Sequence, residues 1–111
     1  MSEEHERRLA AREAIARDVN EVVDDVAASW YEGDERIAFR CECSHDCGGH
    51  VELTPQEYEA VRAGSDTFVL LDGHQDPAVE RVTGRIREYV LVEKTGVGRD
   101  VARETDPRRD D

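Results

Sequence analysis

Ten consecutive residues carry most of the chemistry in this chain: Cys41-Glu42-Cys43-Ser44-His45-Asp46-Cys47-Gly48-Gly49-His50. Three thiols, two imidazoles and two carboxylates fall inside that window. Cys41 and Cys43 sit two apart on a predicted strand, so their side chains leave the same face roughly 6.5 Å apart at Cα. That spacing suits two thiolates on one ion at about 2.3 Å each. A disulfide between them would be strained in extended chain. Cys47 returns over a loop without a bulky hydrophobe, and Gly48 and Gly49 let the backbone fold tightly around an ion. Thiolate with imidazole in a tetrahedral set makes zinc the expected metal. The bland alternative treats buried cysteines as small hydrophobes. It suits Cys41 alone better than three cysteines packed among Glu42, Asp46 and two histidines.

The residues leave the fourth ligand open. His50, three after Cys47, would close a compact local site. His74 is distant in sequence, but Asp72-Gly73-His74 ends a predicted buried strand, a rigid place for a ligand. His45 reads as a solvated mid-loop residue and His5 as a surface residue of the polar helix start. A set of Cys41, Cys43, Cys47 and His74, with His50 as the alternative, fills all four positions. Catalytic zinc keeps one position for water. Glu42 or Asp46 would be the general base of an enzyme, yet both read more simply as solvated surface acids. No Ser-His-Asp arrangement, phosphate loop or nucleotide motif appears, and Gly96-x-Gly98 is too short to count. The sequence therefore points away from catalysis.

The elements that position these residues fit in one domain of 111 residues. With 15 basic and 27 acidic residues the net charge is -12, and only 38% of residues are hydrophobic. Such a surface repels a phosphate backbone, which argues against direct nucleic-acid binding. No apolar run approaches the ~18 residues of a membrane span, and the acidic N-terminus lacks the layout of an export signal. Three cysteines are an odd number for a disulfide framework, so a cytoplasmic location with reduced thiols is expected. Fourteen of fifteen basic residues are Arg, the exception being Lys94. A GC-rich genome or a high-salt habitat would each produce that bias.

Residues 3–31 read as one long helix, rich in Ala and free of Gly and Pro, with Gly33 as a stop. Ile15, Val19, Val22, Val23, Val26 and Trp30 form its apolar stripe, which must cover the sheet or pair with a second copy. Trp30 is expected on the domain, and the outer half in a homodimer. Ile37, Phe39, Cys41 and Cys43 alternate as a strand, Val51 and Leu53 as a short second one. Thr54-Pro55-Gln56-Glu57 is a capping box opening a short helix over Tyr58 and Val61 that ends at Gly64. Phe68–Leu71 reads as a central strand. Val79–Thr83 and Ile86–Lys94 read as two more around Gly84, with Ile86, Val90 and Val92 facing away from Tyr89 and Leu91. From Thr95 composition reads as a mobile tail. The expected organisation is an N-terminal amphipathic helix (1–33), a zinc-binding α+β domain (34–94) with a small, mostly antiparallel sheet of four to five strands, and a polar tail (95–111).

Taken together, Phe39 to Cys47, Leu53 to Arg62, Phe68 to Leu71, Gly73-His74, Glu80-Arg81-Val82 and Leu91 to Lys94 resemble a family of short, acidic, largely uncharacterised proteins from GC-rich actinobacteria. The resemblance spans nearly the whole chain and includes Asp18-Val19-Asn20-Glu21 and Thr105-Asp106-Pro107-Arg108. It differs in the loop between Cys43 and Cys47, where three residues stand in place of four. The Gly-His turn belongs to the family pattern, so the resemblance implies His74 as fourth ligand, and it also implies a tail that docks. It implies no activity. The function expected is a small zinc-binding interaction or regulatory module with a protein partner, basic or neutral rather than acidic. The alternative is a thiol-based redox or zinc sensor that releases its ion on oxidation.

Overall fold

A computed structural model describes residues 2–30 and 34–109. The expected helix end at residue 31 and its stop at Gly33 lie outside those residues. The elements run α1 (Glu3–Trp30), β1 (Ile37–Arg40), β2 (His50–Leu53), α2 (Pro55–Val61), β3 (Thr67–Leu71), β4 (Glu80–Ile86), β5 (Tyr89–Lys94) and α3 (Gly96–Glu104). The class is α+β. The expected single sheet is instead two: an antiparallel β1–β2 pair, and an antiparallel three-stranded sheet in the order β3-β5-β4.

The division falls at the cysteines. β1 pairs with β2 only as far as Arg40 opposite His50. Beyond it, Cys41 N–H donates to Gly49 O and Glu42 N–H to Val69 O. The strand expected to run through Cys43 therefore stops early, and residues 41–43 cross from the first sheet to the edge of the second. That crossing explains β3. Its fully apolar run suggested a central strand, yet β5 is central. The free edge of β3 is occupied by Glu42, which bonds Val69 through its own N–H and accepts the Val69 N–H on its carboxylate at 3.0 Å.

The three-stranded sheet is buried on both faces. Val69 and Tyr89, with Leu91 and Ile86, meet Phe39, Val51, Leu53, Tyr58 and Val61. On the other face Phe68, Leu70, Val90 and Val92 meet Cys41, Cys43 and Ala102. Ile86 thus sides with Tyr89, its direct partner across the β4–β5 ladder, and not with Val90 and Val92. Gly84 lies inside β4 at a register shift rather than between strands. The capping box of α2 has both of its hydrogen bonds, and the helix ends at Val61, before Gly64. Tyr58 stacks on Phe39 with ring centroids 4.5 Å apart.

Two expectations fail on α1 and at the C-terminus. The docked face of α1 is not the aliphatic stripe but Leu9, Ala10, Glu13, Ala14, Ala16, Arg17, Asn20 and Ala27. Alanines permit close approach, and the three long polar side chains find deep partners. Glu13 pairs with Lys94, which also holds Glu80 at 3.1 Å. Arg17 donates to Ser65 O at 2.7 Å and Ala102 O at 2.9 Å, and lies over the Phe68 ring. Of the aliphatic stripe only Val23 packs on the core. Ile15, Val19, Val22, Val26 and Trp30 are exposed, so Trp30 does not cover the domain.

The residues from 95 onward carry α3 rather than a mobile tail. Val101 and Ala102 are buried against the sheet and α1. Asp106 is buried beyond the helix in an ion pair with Arg62, and Arg108 bonds Glu21 and Glu59. Among the described residues no helix is long and apolar enough to cross a membrane.

Candidate metal centre

Cys41 and Cys43 lie on the crossing segment, Cys47 on the loop toward β2, and His74 just after β3. Their ligand atoms all fall within 4.8 Å of one another. These four could hold a metal ion. Both Cys41 and Cys43 are 1% exposed, so burial alone does not separate them as the sequence suggested. Cys47 is exposed. His74 is half-buried, with Nδ1 3.9 Å from Cys41 Sγ. His50 is exposed on β2, outside the cluster, and His45 and His5 are exposed.

Local backbone chemistry brings the donors together. Leu71 N–H donates to Cys41 Sγ at 3.2 Å, and Gly49 N–H to Cys47 Sγ at 3.3 Å. Gly73 turns the chain after β3 at φ +96°, a conformation L side chains rarely adopt, and so delivers His74. Gly49 has a different role. A Cβ there would sit 2.6 Å from Leu71 Cδ1 and 3.3 Å from Cys47 Sγ.

The electrostatics set the two buried thiols apart. Burial pushes the Cys41 thiol up to about 12, with the neighbouring cysteines adding to it. Burial works against the Cys43 thiolate as well. There it is overcome by hydrogen bonds from His74 and from the backbone N–H groups of Cys47 and His45, which hold Cys43 near 6. Cys43 is thereby the most readily ionised of the buried donors, beside two more cysteines and an imidazole, a donor set of the type that suits a soft or borderline cation.

Glu42, expected on the surface, is fully buried. Its carboxylate accepts from Asn20 Nδ2 at 2.9 Å and from Val69 N–H at 3.0 Å. Burial raises it to about 7 against those bonds. It faces away from solvent as a structural cross-brace and not as a surface base. Asp46 is exposed and pairs with Arg40.

Asn20 is the supporting residue that the sequence reading missed. Its Oδ1 accepts Arg40 N–H at 2.7 Å, and its Nδ2 donates to Arg40 O at 2.9 Å and to Glu42. One side chain of α1 thus fixes the residue before the first cysteine and the residue between the first two. The spacing Glu13, Arg17, Asn20 among alanines was a second helical stripe, and that was the available signal.

No protein-family model, curated protein or solved structure matches the chain.

Proposed function

We propose that Cys41, Cys43, Cys47 and His74 hold one zinc ion in a closed structural site, and that the protein is a zinc-stabilised interaction module with a regulatory role. The observation that carries this is the convergence of four soft and borderline donors within 4.8 Å, drawn from three separate segments. Four protein ligands leave no position for a reactive water, as in structural rather than catalytic zinc sites. A chain with 38% hydrophobic residues gains from such a staple. The net charge of -12 suits a basic or neutral protein partner.

Elemental analysis of protein purified without added zinc is the test. Close to one equivalent per chain is expected, and folded protein holding only a trace refutes the site. His74→Ala is expected to weaken zinc retention more than His50→Ala. The reverse order would move the fourth ligand to His50.

The exposure of Cys47 supports a second reading, a thiol sensor, because an oxidant reaches that sulfur first. Zinc content before and after mild peroxide separates the two. A module keeps its ion where a sensor loses it.

A further inference from the structure

The face of α1 that points away from the domain carries Ile15, Val19, Val22, Val26 and Trp30 at spacings of four, three, four and four. Their exposures run from 41% for Val19 to 79% for Trp30. Together they leave roughly 600 Å² of apolar surface in water, at the top of the range for the largest patch on a monomer. The stripe is about 22 Å long at 1.5 Å per residue.

Its two ends differ in shape. At one end Trp30 projects as a knob. At the other a cleft of about 610 Å³ opens between Arg12, Ile15 and Ala16 of α1 and Arg40, Cys43, Ser44, His45 and Asp46 across from them. That volume lies within the range that accepts a drug-sized molecule and exceeds that of an indole ring. A knob and a hole at opposite ends of one stripe are self-complementary under a two-fold axis.

We propose that this stripe is the seam of an antiparallel homodimer in which Trp30 of each copy enters the cleft beside Ile15 of the other. Two facing stripes bury at most about 1,200 Å², which reaches the lower bound of a stable interface. The antiparallel sense sets Arg12 beside the Trp30 ring of the second copy, a favourable cation–π arrangement. A parallel pair would oppose Arg12 to Arg12 and leave both clefts open. Asp18 and Asp25 are exposed along one flank of the stripe. The antiparallel sense brings Asp18 near Asp25 of the second copy, and each copy carries -12. Salt screens that repulsion, so dimerisation strengthens with ionic strength. The dimer goes beyond the interaction-module reading, whose basic or neutral partner it leaves unassigned, and its cleft shares Cys43 with the candidate metal cluster.

Trp30 is the sole tryptophan, so its fluorescence reports its own burial. The full-length protein is followed by light scattering and tryptophan emission from micromolar to hundreds of micromolar, at low and high salt. A dimer is expected, tighter at high salt, with emission moving to shorter wavelength as it forms. Val22→Asp changes an exposed position and is expected to weaken the dimer at least tenfold, with the circular dichroism of the dilute monomer unchanged. Ile15→Glu is expected to abolish the emission change. A wild-type monomer throughout the range overturns the proposal. A dimer whose Trp30 emission never shifts overturns the knob-and-cleft arrangement, and one that weakens with salt overturns the antiparallel seam. Metal content, measured on the same samples, tests the zinc reading separately.

Discussion

Replacing Asn20 by Ala removes three hydrogen bonds at once while changing little of the apolar core. Two go to the backbone of Arg40 and one to the buried carboxylate of Glu42. A backbone bond is worth about 1 kcal/mol net and a bond to a charged group about 1.5 to 3, so the expected loss is about 4 kcal/mol. Against a total stability of about 5 to 15 kcal/mol this is a large fraction. Urea denaturation at fixed pH should show the midpoint falling by roughly 2 M if the slope is about 2 kcal/mol per M. Because Arg40 and Glu42 flank Cys41, the proposed zinc site should lose affinity about 10- to 100-fold as well. Asn20→Asp should be worse than Asn20→Ala, since it sets a second carboxylate against Glu42 in a buried site. A loss of stability below about 0.5 kcal/mol, typical of a surface site, would refute the cross-brace role.

The buried charges of α1 give the next tests. Lys94→Met leaves Glu13 and Glu80 buried without their cation and should cost about 3 to 5 kcal/mol by denaturation. Burial, with Glu80 beside it, holds the Glu13 carboxyl well above its ordinary 4.5 despite Lys94. The folded protein then keeps a proton that the unfolded chain has released, so this group's contribution to stability falls as pH rises from 4.5 through the raised folded value. Glu13→Gln should flatten that part of the stability–pH curve, and an unchanged slope would assign it to another group. Gly49→Ala puts a methyl against Leu71 and Cys47. It should cost about 1 to 3 kcal/mol and weaken zinc retention, both read on the same sample.

The sequence made the length of α1 legible through its alanines and its lack of Gly and Pro. It made α2 legible through the Thr54–Glu57 capping box, and the candidate donors through the crowding of Cys41, Cys43 and Cys47. The docked face of α1 was hidden because its determinants are pairings across the chain. Arg17 is recognised as interior only once Ser65 and Ala102 are beside it, and Glu13 only once Lys94 is. Aliphatic periodicity alone then selects the wrong face, because Ile15 to Trp30 is the stronger stripe. α3 was hidden for a similar reason. Gly96 and Gly98 read as a loop, but at Gly98 a Cβ would lie 2.9 Å from Lys94 Cε and 3.7 Å from Ala10 Cβ, so glycine is what lets the helix lie close to α1.

The position of the cluster explains why a metal would matter to this particular fold. The β1–β2 pair and the three-stranded sheet share no strand ladder. They meet through the apolar core around Phe39 and Val69, and through the segment from Cys41 to Cys43. Cys41 and Cys43 leave the first sheet, Cys47 sits on the loop leading back into it, and His74 follows the edge strand of the second. An ion held by all four ties the two sheets at the point where backbone pairing is interrupted. The four donors converge only once β1, β2 and β3 have assembled, so the free energy of binding an ion there would be drawn into the folded state alone and would raise stability by mass action. Asn20 extends the same fastening to α1 on its docked side, and that holds the opposite, apolar side of the helix outward. The residues that position the thiols are thus also the ones that leave the Ile15–Trp30 stripe exposed.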